Sequence, residues 1–417
     1  MNRSASRISL IGGLLVSACG ASDPPSGTMT STTATSGSTT TGTTTSSTGT
    51  STTGGQAGNG GSTGTGSSMN DASSAGGSGG SPGMEAGKEG SADGRGNWTV
   101  GDPGIEGDGD VTLEPNPPEH PDIATKNVPH GKSFQFTMSS ADSQIYKGDD
   151  ATLQSRRAFT RRVTVYVPSQ YVDGTEAPFM VVQDERDQNE IKNSLDNLIP
   201  TKKLPVFIAL FVASGGGDYK GSQRGLEYDT MSDRYSRFVD AEVLPAVKNN
   251  AAVKAAYPGL KFTENPEGRA SYGCSSGGAA AMTQAWFTPD RFRRIVGYSA
   301  TLVDQQDDDA AEEKMFPFGA WEYHSGLNLI ANNPVKPIRV FIHAGQSDNG
   351  AGTGDAGHHD WLLANQRTAA ALKAKGYHYR FLYAKGAGGN GGGHCDGKAT
   401  KASIPDTLTW LWQGYPR

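Results

Sequence analysis

The stretch RASYGCSSGGAAAMTQAW, residues 269–286, constrains this chain more than any other. Arg269 to Tyr272 reads as a strand, Gly273-Cys274-Ser275-Ser276-Gly277 as a G-x-S-x-G turn, and the alanine-rich run behind it as a helix. A serine on so tight a strand-to-helix turn projects its Oγ above a sheet. The backbone doubles back there, so flanking residues must be small, and Gly273, Gly277 and Gly278 supply this. The helix aims unpaired N–H groups and a positive dipole end at the same point. The N–H of Ser276 is therefore one expected oxyanion donor. With 57 glycines in the chain, the short motif arises easily by chance, and the strand before it and helix after it carry the weight. The competing reading is a Gly/Ser turn in some other α/β fold.

The rest of the second half is consistent with that context. Phe134 to Met138 and Arg162 to Val167 alternate apolar and polar, as half-buried strands do. Phe179 to Val182 and Val206 to Val212 are continuous apolar runs, as buried parallel strands are. Further strands are expected at Arg294–Tyr298, Ile338–His343 and Tyr379–Tyr383. Helical stripes run over Ser232–Val247 and Asp360–Lys375, and a last helix over Pro405–Trp412 with proline in its first turn. Alternating strands and helices predict an α/β fold with a mostly parallel sheet covered by helices on both faces.

If Ser275 is a nucleophile, it needs an acid and then a histidine, in that chain order for this architecture. Asp348 lies just past the strand Ile338–His343, and His394 lies in a Gly-rich loop past the strand Tyr379–Tyr383. Asp355 and Asp360 compete with Asp348 for the acid. His343 falls inside a strand, and His358-His359 is a solvated pair or a weak metal pair.

The first quarter is different. Arg3 and Arg7, then Ile8 to Val16, then Ser17-Ala18-Cys19 form a positive, apolar and small-residue series expected of an export signal. Val16-Ser17-Ala18-Cys19 resembles a bacterial lipobox, which implies lipidation at Cys19 and an exported lipoprotein of the outer membrane, cell surface or periplasm. An ordinary signal peptide with a chance cysteine is the alternative. Residues 20–95 are dominated by Ser, Thr, Gly and Ala, too polar to offset their chain entropy, and are expected to be a disordered tether. Residues 96–128 are rich in Pro and acid and are expected to be an extended approach to a domain spanning 129–417. Asn97-Trp98-Thr99 has the form of a glycosylation sequon, which an exported bacterial protein does not ordinarily use. A net charge of −6 disfavours a nucleic-acid partner. No apolar run has the ~20 residues needed to span a bilayer, so any membrane contact is expected through the lipid alone. With Cys19 lipidated, Cys274 and Cys395 remain as an even pair in a compartment where disulfides persist.

From about Arg161 to the C-terminus the chain resembles the enterochelin-esterase-like branch of the esterase D superfamily. The matching blocks are Gln183-Asp184, RGLEYDTMSD, RYSRFVDAEVLP, the elbow with AWFTPDRF, GAWEYH, KPIRVFIHAG, LANQRTAAALKAKGYHYRF and PDTLTWLWQGYPR. The resemblance implies an α/β-hydrolase fold, carboxylic-ester hydrolysis, no cofactor and no metal. Carried over by position, it implies Ser275, Asp348 and His394 as a triad. It also implies a second oxyanion donor near Glu185-Arg186, and Arg224 and Glu227 on the substrate side. The chain departs from the family in having Glu185 where glycine is usual after Gln-Asp, and in Gly-rich stretches at 350–357 and 386–393.

A second, local resemblance is to the CS-D-HC arrangement of feruloyl esterases and tannases, which implies a Cys274–Cys395 disulfide tying the serine and histidine loops. Together these lead to the expectation of a serine esterase acting on a small-molecule or glycan-linked ester, siderophore lactones and acylated carbohydrates among them. The rivals are a peptidase or acyltransferase using the same triad, and a non-catalytic binding protein on a hydrolase fold.

Overall fold

The computed structural model describes residues 102–308 and 310–417. The expected signal, lipidation site, tether and sequon, together with the first residues of the approach, lie outside the described residues. The sheet has nine strands. They are β1 (Gly109–Leu113), β2 (Lys132–Ser139), β3 (Thr160–Val167), β4 (Phe179–Gln183), β5 (Ile208–Val212), β6 (Arg269–Cys274), β7 (Arg294–Tyr298), β8 (Arg339–Gly345) and β9 (His378–Ala384). Their spatial order is β1-β9-β8-β7-β6-β4-β5-β3-β2. Only β3 runs against the others, antiparallel to both β2 and β5. The remaining pairs are parallel, so the loops that leave these strands gather at one edge.

The apolar runs are continuous because both faces are covered. Along β4, Phe179 and Val181 pack into one core, and Met180 and Val182 into the other. The first core is closed by α3 (Ser276–Phe287) and α4 (Trp361–Ala374), through Ala281, Ala285, Ala364 and Leu372. The second is closed by α1 (Gln188–Leu198) and α5 (Gly397–Leu411), through Ile191, Leu195, Ile404 and Leu408. The short α2 (Gln223–Tyr228) packs on α3. This arrangement is the α/β-hydrolase fold that the sequence led us to expect. Among the described residues no helix is long and apolar enough to cross a membrane.

Two expectations are corrected. The folded unit does not begin at 129, because β1 pairs in parallel with β9, Gly109 opposite Arg380. The approach is thus partly a strand of the sheet, and its prolines clamp the Gly-rich loop after β9: Pro115 lies against Gly386 and Pro117 against Gly391. The last helix starts at Gly397, eight residues before Pro405, with the proline inside it. Proline in a helix interior deprives the carbonyl four residues back of its partner. Here that carbonyl, of Lys401, accepts from the N–H of His120 at 3.0 Å, so the usual objection to an interior proline is met by the approach segment.

Candidate active site

The elbow is built as the residue sizes require. Ser275 takes φ 57°, ψ −131°, a conformation held because its N–H donates to Tyr298 O at 3.0 Å and its carbonyl accepts from Thr301 N–H at 3.0 Å. A Cβ on Gly273 would lie 2.2 Å from the Gly277 backbone, and one on Gly277 2.9 Å from Gln183 Cβ. The turn is therefore closed to any larger residue at either position.

Three loops leaving strands meet at Ser275. His394 Nε2 lies 3.0 Å from Ser275 Oγ, and His394 Nδ1 lies 2.6 Å from Asp348 Oδ1. An ionised carboxylate only accepts, so Nδ1 carries the proton and Nε2 is left to accept from the serine. Asp348 is buried. Its second oxygen accepts from Ser299 Oγ at 2.7 Å and from Gly345 N–H at 3.1 Å. Burial works to raise its pKa, but the bonds from His394, Ser299 and Gly345 outweigh it and hold the carboxyl below the ordinary aspartate range. Asp355 and Asp360 are elsewhere: Asp355 pairs with Arg367 at the surface, and Asp360 caps α4 while accepting from Gly352 and Gly354 N–H. His343 is fully buried in β8, and burial pushes it down to about 4.

The two Gly-rich loops are organised by a common device. Asp360 gathers the first, as just described. In the second, Asp396 Oδ2 accepts from Gly389, Gly391 and Gly393 N–H at 2.7, 3.0 and 3.3 Å, while Oδ1 caps α5 through Lys398 N–H. Cys274 and Cys395 are joined by a disulfide with Cα atoms 6.0 Å apart, which fastens the residue before Ser275 to the residue after His394.

Three more residues belong to this cluster and were missed from the sequence. Ser299 donates to Asp348 and accepts from Cys395 N–H at 3.0 Å. Thr301 Oγ1 sits 3.4 Å from Ser275 Oγ and accepts from Trp361 Nε1 at 3.1 Å. The Trp361 ring meets His394 edge-on at 5.9 Å. β7 lies between β6 and β8, so the loop after β7 passes between Ser275 and Asp348.

On the other side of Ser275 the sequence expectations hold less well. Asp184 and Glu185 take φ 56° and 52°, the left-handed region where glycine is unstrained. Glu185 stands in this conformation with its side chain turned inward, accepting from Arg162 Nε at 2.6 Å and Thr164 Oγ1 at 2.9 Å. Its backbone N–H makes no hydrogen bond among the described residues. Arg186 was expected beside it as a donor, but its N–H is turned back to Gln183 O at 3.3 Å and its guanidinium reaches Cys395 O at 3.4 Å.

Arg224 is bound to Asp184 at 2.9 Å and to Asp218 at 2.9 Å, so it braces this loop. The expected substrate-side role of Glu227 is overturned. Its side chain is completely buried and grips Arg161 with both oxygens, at 2.7 and 2.8 Å, because a buried guanidinium demands a planar partner. Near this loop a cavity of about 310 Å³, lined in part by Gln154, Phe159, Asp218 and Ser222, is built from the segment after β5 and the one before β3. Among the described residues no cluster of three or more His, Cys, Asp or Glu is placed to hold a metal ion.

A family described as "Putative esterase" matches residues 158–395, more than half of the 417-residue chain. No curated protein sequence matches. Among solved structures, a ferulic acid esterase aligns at 16% identity and TM-score 0.47, covering 69% of this chain and 100% of that one. The enterobactin esterase of Shigella flexneri aligns at 18% and 0.44, covering 69% of this chain and 60% of that one. A ferulic acid esterase of Anaeromyces mucronatus, solved with ferulic acid, aligns at 12% and 0.48, covering 70% and 95%. The chain thus spans about three-fifths of the Shigella protein's length.

Proposed function

Since the chain belongs to this esterase family and is a carboxylic-ester hydrolase, we propose that it works through a Ser275–His394–Asp348 triad and an acyl-enzyme. The observation that carries this reading is the unbroken line from Asp348 Oδ1 to His394 Nδ1 at 2.6 Å and from His394 Nε2 to Ser275 Oγ at 3.0 Å. His394 Nε2 takes the Ser275 proton as Oγ bonds to the ester carbonyl carbon. The carbonyl π pair becomes an oxyanion, held by the N–H of Ser276 and that of Glu185. Collapse of this intermediate breaks the bond to the alcohol, which leaves with the proton from His394. Water then repeats the sequence on the acyl-enzyme, delivering the free acid and restoring Ser275. Asp348 keeps the imidazole in the working tautomer and stabilises its charged form throughout.

The substrates proposed are small-molecule or glycan-linked esters, of the siderophore-lactone or acylated-carbohydrate kind. We also propose export as a lipoprotein anchored at Cys19, a reading supported by the order Arg3, Arg7, Ile8–Val16 and VSAC.

The mechanism is tested with a fluorophosphonate probe. Peptide mass spectrometry is expected to find the label on Ser275, and Ser275→Ala is expected to lose p-nitrophenyl ester hydrolysis by roughly 10⁶-fold with its circular dichroism unchanged. Label on another residue, or a loss below tenfold, overturns the assignment.

A further inference from the structure

The tight elbow creates a difficulty for the helix behind it. Gly277 and Gly278 are required by close approach, since a Cβ at either would sit 2.9 Å from Gln183 Cβ or Ala300 Cβ. Glycine gives a helix no side chain to pack and a high entropy to restrain. Within the turn Ser276-Gly277-Gly278 only Ser276 carries a side chain, and its N–H is one of the two assigned to the oxyanion.

That side chain is fully buried and held by a side chain from another segment. Gln305 Nε2 donates to Ser276 Oγ at 3.1 Å. Gln305 Nε2 also donates to Asp229 Oδ2 at 3.3 Å, so one amide links the Ser276 hydroxyl to a buried carboxyl. The three residues come from three places: the elbow, the C-terminal end of α2, and the segment after β7. The next residue, Gln306, pins that segment by accepting from Met231 N–H at 2.9 Å and donating to Phe316 O at 3.0 Å. Asp229 is 4% exposed and its other oxygen has no hydrogen-bond partner, an expensive arrangement for a residue with no task.

We infer that Asp229 and Gln305 are positioning residues for the oxyanion donor, acting through the Ser276 hydroxyl. The inference rests on the triad mechanism proposed above. The bond on Oγ, together with the backbone, fixes the Ser276 peptide plane and hence the direction of its N–H. Burial pushes the Asp229 carboxyl up to about 7, so a neutral form that still accepts from Gln305 without repelling a nearby oxyanion is accessible around neutral pH. A donor aimed at the transition state affects kcat, whereas one used equally by substrate and transition state affects KM.

Ser276→Ala retains the N–H and removes only its tether. It is expected to lower kcat about ten- to hundredfold, less than the ~10²–10³ for deleting such a donor outright, with KM within about twofold. Binding of phenylboronic acid, whose tetrahedral adduct on Ser275 places an oxygen in the same position, is expected to weaken by the same factor. Asp229→Ala is expected to match Ser276→Ala, the double variant to be no worse than either alone, and Asp229→Asn to recover most of the rate by keeping an acceptor oxygen. Should Asp229→Ala fail to fold, Gln305→Ala carries the same expectation. Effects confined to KM, additive losses in the double variant, or wild-type kcat in folded Ser276→Ala overturn the inference alone. A wild-type enzyme that hydrolyses no ester, or whose Ser275 is never labelled, overturns the triad mechanism and this inference together.

Discussion

The two sides of Ser275 differ in what their side chains do. On the side of Asp348 and His394, the atoms proposed for the chemistry belong to side chains, and each leaves its loop toward the serine. On the side of residues 183–186 and 224–227, the side chains turn inward, Glu185 to Arg162 and Thr164, Glu227 to Arg161, Arg224 to Asp184. The reason is chemical. A proton relay needs an imidazole and a carboxylate, whereas an oxyanion needs only N–H groups. Where the backbone performs the function, side chains are released to brace the scaffold, and residue type no longer reports the role.

This contrast can be broken or sharpened by substitution. The largest effect is expected on the relay side: Asp348→Asn should reduce kcat about 10⁴-fold while the protein stays folded, because the imidazole is left in the wrong tautomer. Steady-state kinetics with circular dichroism checks this, and full activity would move the acid elsewhere. Glu227→Gln should act on stability instead. It leaves the buried Arg161 guanidinium without its countercharge, a loss of about 3–5 kcal/mol in denaturant unfolding, with kcat per folded molecule unchanged. A raised KM at undiminished stability would return Glu227 to the substrate side.

The smallest effect is expected for Glu185→Gly. Glycine accepts φ 52° without strain, while the bonds that are lost go to the Thr164 hydroxyl and to Arg162, whose side chain is 56% exposed and contributes little. Activity within about threefold of wild type would show that the Glu185 side chain is dispensable while its N–H remains. A drop of a hundredfold would mean that the carboxylate itself aims the loop.

Much of the architecture was legible in the sequence because burial on two faces imposes long apolar runs, as in β4 and β5, and because the elbow tolerates few residue types. The N-terminal strand was not legible. β1 is an edge strand of five residues with only one neighbour, so GDVTL carries little apolar signal and the prolines and acids around it read as a linker. The start of α5 was obscured by Pro405, whose presence inside a helix depends on a partner for Lys401 O that lies 281 residues earlier, at His120. Ser299 and Thr301 were missed because their roles depend on strand order, which single strands do not announce.

The disulfide has a topological consequence. The covalent ring closed by Cys274 and Cys395 encloses the whole intervening chain, and Ser275, Asp348 and His394 all lie within it. A protease that cuts once anywhere between these cysteines opens the ring without releasing a fragment. The exposed glycines at 352, 357, 388 and 389 offer such places. After a nick at any of them, Ser275, Asp348 and His394 still belong to a single molecule, held in register by the sheet and by one sulfur–sulfur bond. The ring turns a cut that would divide the site into a change of connectivity.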